Sequence, residues 1–287
     1  MEAQGADHTE FTDSAADAFL VDAHVHFYDC FDQTRFFEGA LANFRAAAQG
    51  TGASSDPAGC LLFTESAGYN HFHRFREEGD GGAGPWRFRD TGEASSLLAV
   101  RNGADRLLLV AGRQIVARED LEVLALGCPV EIPDRMSLRE TLSAVAEQEA
   151  VAVIPWGFGK WWFGRGRIMA ELLGDADASG IYLGDNSGRP GFLPGPRLFD
   201  QARAREILIL PGTDPLPFPG EAGQAGSFGF VLPGRLDPSR PTASLLQAVR
   251  AQTTQPATYG RLEGLVRFCR HQVAMQLRKR VRKLRGT

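Results

Sequence analysis

The sequence predicts an α/β protein built as a distorted TIM-like barrel of seven or eight βα units. Its length of 287 residues matches one barrel of about 250 residues plus tails. Short segments rich in Val, Ile and Leu alternate with helical segments, as in a parallel sheet with crossover helices. The apolar segments end in loops rich in glycine and polar residues, which is where α/β barrels carry their active sites.

The elements are predicted in the following order. The first half of the chain contains a strand at 19–27, a helix at 36–48, a strand at 59–64 and a small antiparallel hairpin insertion at 86–90 and 96–100. The second half contains strands at 106–116 and 121–126, a helix at 137–149, a strand at 151–154, a helix at 168–173, a strand at 180–183, a helix at 197–205, and strands at 206–210 and 228–232. Ser137 and Glu140 form a predicted capping box at the start of the helix at 137–149.

These elements divide the chain into three parts. Residues 1–17 are acidic and polar without periodicity, and we expect them to be disordered. Residues 18–258 form the single barrel domain, and residues 259–287 form a basic C-terminal helix.

Composition narrows the class of protein. A hydrophobic content of 43% is enough for a large core. The net charge of −4 argues against a molecule built to bind nucleic acid, so no nucleic acid partner is expected. The four cysteines form no C-x-x-C pair, which indicates reduced thiols and a cytoplasmic protein. Neither a secretory signal nor a transmembrane segment is expected.

The first predicted strand ends in the motif Asp22-x-His24-x-His26. Alternate residues of a strand face the same side, so the two imidazoles are expected to lie together, with Asp22 on their side. Imidazole nitrogens are good ligands for zinc and manganese, and hydrolytic metal sites leave one coordination position open for water. His24 and His26 are therefore predicted metal ligands. The alternative is a pair of hydrogen-bonded core histidines.

Two carboxylates at strand ends are further candidates for the same site. Asp214 follows an apolar strand, and because the first and last strands of a closed barrel are neighbours, we expect it near His24 and His26. There it would serve as a metal ligand, as the base that takes a proton from water, or as both. The alternative is a turn residue that introduces Pro215. Glu65, at the end of the second strand, is a comparable candidate metal ligand.

The first and last motifs carry a resemblance to a known family. His24 and His26 on the first strand and Thr213-Asp214 after the last resemble the metal-dependent hydrolase barrels, which comprise the amidohydrolases and the PHP phosphoesterases. The resemblance covers residues 19–220. It implies a divalent metal, namely zinc, manganese or iron, and hydrolysis by metal-activated water.

Within that group the layout is more similar to the PHP domains. The segment 112–114 stands where PHP domains often carry a Gly-x-Glu ligand motif, and 153–157 resembles their Ala-His-Pro segment. The chain departs from that pattern at both places, because Gln114 replaces the glutamate and Ile154 replaces the histidine. It also has no histidine shortly after Asp214 and no lysine placed as the carbamylated bridge of amidohydrolases.

The loop at 157–167 combines glycines with cations and aromatic residues. It lacks the pattern of a nucleotide-binding P-loop. Cations at the active-site face suit an anionic substrate, so Lys160 is a predicted catalytic residue and Arg165 a predicted substrate ligand. The alternative is a loop that packs its tryptophans onto the barrel.

Two further polar groups lie in loops that follow predicted strands. Asp185, Asn186 and Arg189 offer a carboxylate, an amide and a guanidinium to a substrate, although the same residues suit a turn. His71 and His73 form a second His-x-His motif, which either supplies further metal ligands or is exposed.

The C-terminal helix combines many cations with an apolar stripe. Its cations are Arg261, Arg267, Arg270, Arg278, Lys279, Arg280, Arg282, Lys283 and Arg285, against Glu263 alone. Such a helix either docks on the barrel with a solvated basic tail or makes weak contact with an acidic surface, nucleic acid or a partner.

Taken together, these patterns predict a metal-dependent hydrolase that acts on an anionic small molecule. A phosphoester is favoured over an amide, because the cationic loop is present and the bridging lysine is not. The alternative is a catalytically degenerate barrel that binds a ligand or a partner. The substrate and the oligomeric state are not predicted.

Overall fold

The computed structural model describes residues 18–53, 56–82, 84–175 and 180–285. The predicted acidic tail at 1–17 lies outside the described residues. The strands are β1 (Ala18–Val25), β2 (Cys60–Phe63), β3 (Glu65–Ser66), β4 (Trp86–Asp90), β5 (Ser96–Arg101), β6 (Asp105–Val110), β7 (Gly112–Val116), β8 (Glu122–Leu126), β9 (Val151–Pro155), β10 (Ile181–Asn186), β11 (Ile209–Gly212), β12 (Phe228–Pro233) and β13 (Thr258–Gly260). The helices are α1 (Gln33–Thr51), α2 (His71–Glu78), α3 (Leu138–Glu147), α4 (Phe163–Gly174), α5 (Arg197–Arg203), α6 (Pro241–Arg250) and α7 (Leu265–Arg285).

The strands form two mixed sheets. The seven-stranded sheet has the order β13-β12-β1-β2-β6-β5-β4, and the six-stranded sheet has the order β11-β10-β9-β8-β7-β3. Parallel pairs lie at the centre of the first sheet (β1-β2-β6) and at both ends of the second (β9-β10-β11 and β7-β3). The predicted α/β class is confirmed. Among the described residues no hydrogen-bonded ladder closes the two sheets into a barrel, so the distorted TIM-like barrel stays a prediction.

The chain passes between the two sheets four times, and two of these passages join consecutive strands without an intervening helix. β2 gives way to β3 at Thr64, and β6 gives way to β7 at Ala111. The single strand predicted at 106–116 is therefore two strands in different sheets. A Cβ on Gly112 would lie 2.2 Å from the carbonyl oxygen of Phe63, so glycine is required where the two crossings meet.

The predicted antiparallel hairpin is confirmed as the pair β4-β5, with Trp86 opposite Arg101. It is not a separate insertion, because β5 also pairs with β6 and the hairpin extends the seven-stranded sheet. Trp86 is buried, and its ring centroid lies 5.5 Å from that of Phe37 on α1. The hairpin thus completes the aromatic core beneath α1.

The helices cover the sheets with amphipathic faces. α1 begins after Asp32, whose carboxylate accepts a hydrogen bond from the Arg35 N–H at 2.7 Å. Its buried face recurs at helical spacing and consists of Phe36, Phe37, Ala40, Leu41 and Phe44. The capping box of Ser137 and Glu140 at the start of α3 is confirmed. Two helices, α2 and α6, occupy segments for which no helix is predicted.

The C-terminal helix α7 docks on the body of the protein through buried side chains. Phe268 and His271 are buried, whereas Val266 and Val273 on the same helix are exposed. No helix of the described residues has both the length and the apolar character needed to cross a membrane.

The two sheets meet where the end of β11 lies against β1. Asp22 on β1 is fully buried, and its carboxylate accepts hydrogen bonds from the Thr213 N–H at 2.8 Å and the Thr213 hydroxyl at 2.6 Å. It also accepts from the Gly226 N–H at 2.8 Å and the His24 N–H at 3.2 Å. Burial raises the pKa of Asp22, and the four hydrogen bonds lower it. Burial has the larger effect, so the pKa is about 7. The Asp214 N–H donates to the His24 carbonyl at 2.7 Å and extends the same junction.

This close approach depends on Gly212. A Cβ at this position would lie 2.3 Å from the backbone nitrogen of His24 and 2.6 Å from its Cβ. The clash is with backbone, which cannot move aside as a flexible side chain does. Glycine is therefore the only residue that fits at the end of β11 without separating the two strands.

We expect Gly212→Ala to lower the free energy of unfolding by roughly 1–3 kcal/mol, because overpacking at this contact forces β1 and β11 apart. Gly50→Ala is the matched control, since nothing lies within 4 Å of a Cβ there. Gly50 lies within α1, so alanine should be neutral or stabilising by roughly 0.5–1 kcal/mol. Urea denaturation of both variants measures the difference. Equal stability of the two variants would contradict this account of the junction.

Candidate metal centre

Three side chains converge at the junction of β1 and β11. The Nε2 atoms of His24 and His26 are 3.1 Å apart, and Oδ1 of Asp214 lies 3.5 Å and 3.6 Å from them respectively. Among the described residues these three form the group whose ligand atoms are close enough together to hold a metal ion. The histidines are buried, and the side chain of Asp214 is 26% exposed. The group is therefore open to solvent on the side of Asp214.

The separations fit a bound ion. A tetrahedral ion with ligands at 2.0–2.1 Å holds its ligand atoms roughly 3.3–3.4 Å apart. The three observed distances scatter about that value. Two imidazole nitrogens that face each other at 3.1 Å require either a shared proton or a cation between them. The donor set, two imidazoles and one carboxylate, suits zinc, manganese or iron, and a fourth position remains for water.

The local electrostatics keep the ligands in the form that binds metal. Burial, together with the nearby His24, lowers the pKa of His26 to about 3, so its imidazole is neutral at physiological pH. Burial alone would raise the pKa of Asp214. Electrostatic interactions with the two imidazoles and with Lys160, together with the hydrogen bond from Asn186, more than offset that effect and lower the pKa below its ordinary value. A neutral imidazole and an ionised carboxylate are the metal-binding states.

The backbone of Asp214 is also unusual. Its φ is +48°, in the left-handed region that is strained for most residues but tolerated by Asp and Asn. The N–H of Asp214 donates to His24, and Asn186 Nδ2 donates to Oδ2 of its carboxylate at 3.0 Å. Strained backbone that the surroundings hold firmly is characteristic of functional sites.

Asn186 and Asp185, both predicted substrate ligands, lie on opposite faces of β10. Asn186 points to the metal centre, where Nδ2 donates to Asp214 and also to the Trp156 carbonyl at 2.9 Å. Asp185 faces away and pairs with Arg189 through two hydrogen bonds of 2.7 Å and 2.8 Å. The guanidinium of Arg189 in turn lies 5.8 Å from the ring centroid of Phe199 on α5. The structure thus brings Asn186 to the site and does not bring Asp185 or Arg189 there.

The cations of the loop at 157–167 also separate. The ammonium of Lys160 forms an ion pair with Glu122, and its charge acts on Asp214 and His26. Arg165 instead donates to the Gly159 carbonyl at 2.9 Å and so holds its own loop. Lys160 therefore lies at the site. Arg165 has a structural role, which is to hold the backbone of its own loop.

Glu65 is buried but is engaged elsewhere. Its Oε1 accepts hydrogen bonds from the N–H groups of His71 and Phe72, at the N-terminus of α2, and its Oε2 lies 3.5 Å from Arg113. A carboxylate is favoured there because it meets the unpaired N–H groups of the helix. The group of His24, His26 and Asp214 does not include it. His71 and His73 are on α2 rather than in a loop, so their side chains point in different directions and only His71 is buried.

Three residues of the site were not identified as functional from the sequence. The side chain of Gln114, at the position of the expected glutamate ligand, hydrogen-bonds His26. The ring of Tyr28 stacks on His26 with centroids 5.5 Å apart. The alternation that places Asp22, His24 and His26 on one side extends to Tyr28, so this signal was available in the sequence. Thr213, which binds Asp22, entered the sequence analysis only as part of the Thr213-Asp214 motif, without a role of its own.

A cavity of about 240 Å³ adjoins the metal centre. Lys160, Asn186 and Asp214 line it on one side. α7 and the preceding Glu263 line it on the other, through His271, Gln272, Met275 and Gln276. The C-terminal helix is therefore a wall of the site, a role for which the sequence offers no signal.

Comparisons with known proteins find structures of similar fold. No protein-family model matches the chain, and no curated protein matches it in sequence. The crystal structure of PsfC from Pseudomonas syringae is similar with a TM-score of 0.52 at 14% identity, over 92% of this chain and 99% of that chain. The lesion-specific endonuclease Q from Pyrococcus furiosus is similar with a TM-score of 0.50 at 11% identity, over 83% of this chain and 57% of that chain. At such identities the likeness concerns the fold alone.

A third similar structure contains a nucleic acid. It is endonuclease Q in complex with a 27-mer duplex substrate that has an abasic lesion at the active site, with a TM-score of 0.47 at 12% identity, over 81% of this chain and 57% of that chain. The expectation that nucleic acid is not a partner is therefore wrong as a conclusion from composition. Net charge averages over the whole surface and does not report the surroundings of one site.

We expect Asn186→Ala to weaken zinc binding by about 10- to 100-fold, because Asp214 loses the donor that orients its carboxylate. Competition with a chromogenic chelator measures the affinity. Asp185→Asn is the matched control on the other face of β10; it should lower thermal stability and leave zinc affinity unchanged. Equal zinc affinity of Asn186→Ala and the wild type would show that Asn186 does not orient Asp214.

Proposed function

We propose that the protein is a metal-dependent hydrolase that cleaves a phosphoester. His24, His26 and Asp214 hold one divalent ion, which is zinc, manganese or iron. The proposal rests on one observation above all, the mutual separations of 3.1, 3.5 and 3.6 Å among three metal-binding atoms at a partly open position. The fold likeness to an endonuclease is compatible with it.

The bound ion would supply Lewis acidity and lower the pKa of a coordinated water to about 7. The protein contributes the rest. Asn186 and the His24 carbonyl fix Asp214, so that one carboxylate oxygen faces the histidines while the other is held by the amide. Of the two roles predicted for Asp214, the geometry favours that of ligand. The second oxygen of the Asp214 carboxylate, Oδ2, would also accept a proton from water on the open side.

Lys160 provides positive charge beside the site. Its pairing with Glu122 fixes the ammonium on the wall of the cavity. An ammonium so placed stabilises negative charge that develops on a phosphoryl group. This charge is why a phosphoester is preferred to an amide, for which the bridging lysine of amidohydrolases would be expected. Arg165 and Arg189 have no part in this proposal, because both are engaged elsewhere.

A second candidate function is ligand or partner binding without turnover. It is favoured by Gln114 and Ile154, which occupy positions where the PHP resemblance expects ligands. Ile154 is fully buried in an apolar cluster, so it contributes nothing to a second ion. Metal content and activity separate the two candidates.

We expect protein purified without chelator to contain close to one zinc, manganese or iron ion per chain by elemental mass spectrometry. His24→Ala/His26→Ala should lose that ion, because two of the three ligands are removed. The wild type should hydrolyse p-nitrophenyl phosphate or bis(p-nitrophenyl) phosphate and leave p-nitroacetanilide intact, and the double variant should fall to background.

His73→Ala is the matched control, since it removes a histidine from the other His-x-His motif without touching the site. It should keep both metal and activity. A wild type that is empty and also fails to bind added zinc, manganese or iron would contradict the proposal and favour the non-catalytic alternative.

A further inference from the structure

The cavity beside the metal centre has a wall that the hydrolytic chemistry does not use. Gln272 and Gln276 reach it from α7, and Gln224 reaches it from the segment before β12. Gln224 and Gln272 are half-buried, and Gln276 is exposed at the rim of the cavity. Among the described residues, none of the three side-chain amides has a hydrogen-bond partner. Three unpaired amides around one cavity offer donors and acceptors to a ligand.

A buried carboxylate oxygen lies in the same wall. Oε1 of Glu263 forms ion-pair contacts with His271 Nδ1 at 2.7 Å and with Arg267 Nε at 3.1 Å. Oε2 of Glu263 is closed off from solvent and has no hydrogen-bond partner among the described residues. The groups in this wall that a ligand in the cavity can reach are therefore the amides.

The surrounding charges determine which ligand group fits. Glu221 also lines the cavity, 3.3 Å from His271 Nε2, so two carboxylates lie at the end formed by α7. Both carboxylates pair with Arg267 and His271, so the cations at that end are already engaged and do not attract a second anionic group. An apolar group would leave the amides unpaired. A hydroxyl is uncharged and both donates and accepts, so it can pair with either end of an amide.

We propose that this cavity is a subsite for an uncharged, hydroxyl-rich part of the substrate, such as a glycerol or sugar unit, and that Gln224, Gln272 and Gln276 select it. The proposal rests on the proposed function, which places the phosphoester at the metal end. The cavity volume of about 240 Å³ is below the 300–1,000 Å³ that is usual for pockets that hold a complete drug-sized ligand. It therefore suits one such unit, free or as part of a larger molecule.

The test compares two phosphonates that resist hydrolysis and differ only in two hydroxyls, 3,4-dihydroxybutylphosphonate and n-butylphosphonate. Calorimetric titration measures both dissociation constants for the wild type and for Gln272→Met/Gln276→Met. Methionine preserves the length and the helix propensity of glutamine and removes its hydrogen bonds. Gln201→Met, at an exposed position of α5, is the matched control.

We expect the wild type and Gln201→Met to bind the dihydroxy compound about tenfold or more tightly than the butyl compound, as two hydrogen bonds imply. The double methionine variant should lose that preference and bind the butyl compound as before. Equal binding of both compounds by the wild type, binding of neither, or a preference that survives in the methionine variant would overturn the subsite. Glutamine-dependent binding of a nucleobase-bearing phosphonate without hydroxyls, in place of the diol, would overturn the choice of ligand.

The same titration on His24→Ala/His26→Ala separates the subsite from the metal centre. If the hydroxyl preference and its dependence on glutamine persist there while the wild type holds no metal and hydrolyses no phosphoester, the proposed function fails and the subsite stands. If metal and hydrolysis are normal but the preference is absent, the subsite fails alone.

Discussion

The junction between the two sheets depends on the buried carboxylate of Asp22. It accepts four hydrogen bonds, two of them from Thr213 and one from Gly226, and so ties β1 to the segment that follows β11 and to the segment before β12. Without a hydrogen-bonded ladder between β1 and β11, this carboxylate supplies much of the polar contact across the junction. The position of Asp214 relative to His24 follows directly from it.

The candidate metal centre is therefore a product of sheet assembly. His24 and His26 come from one sheet, Asp214 follows a strand of the other, and Gly212 permits the approach that brings them within 3.6 Å. The same approach buries the imidazoles and keeps His26 neutral, while the neighbouring positive charge keeps Asp214 ionised. The geometry and the protonation states of the site thus have one structural origin.

In the function and subsite proposed above, the cavity beside the candidate metal centre has two sides. The chemical side acts on the phosphoester, and the recognition side binds the rest of the substrate. Lys160, Asn186 and Asp214 form the first, and the amides of α7 form the second. α7 is held in place by a network in which His271 and Arg267 lie between Glu221 and Glu263. This network neutralises charges that would otherwise be buried unpaired, and it fixes the helix against the cavity. Because one fold supports many functions, we propose that the recognition side carries this chain's specificity.

The sequence by itself determined the α/β class, the hairpin of β4 and β5, the capping box of α3 and the convergence of His24, His26 and Asp214. Each of these follows from local periodicity, from local capping chemistry or from the ends of apolar strands, which a chain carries in its own pattern. Only the tertiary structure decided that Asp185 turns away while Asn186 orients Asp214, and that Glu65 caps α2. Only it decided that α7 closes the cavity. These outcomes depend on which partner each polar group meets after two sheets and a distant helix have packed, and a single sequence carries no local signal for such partners.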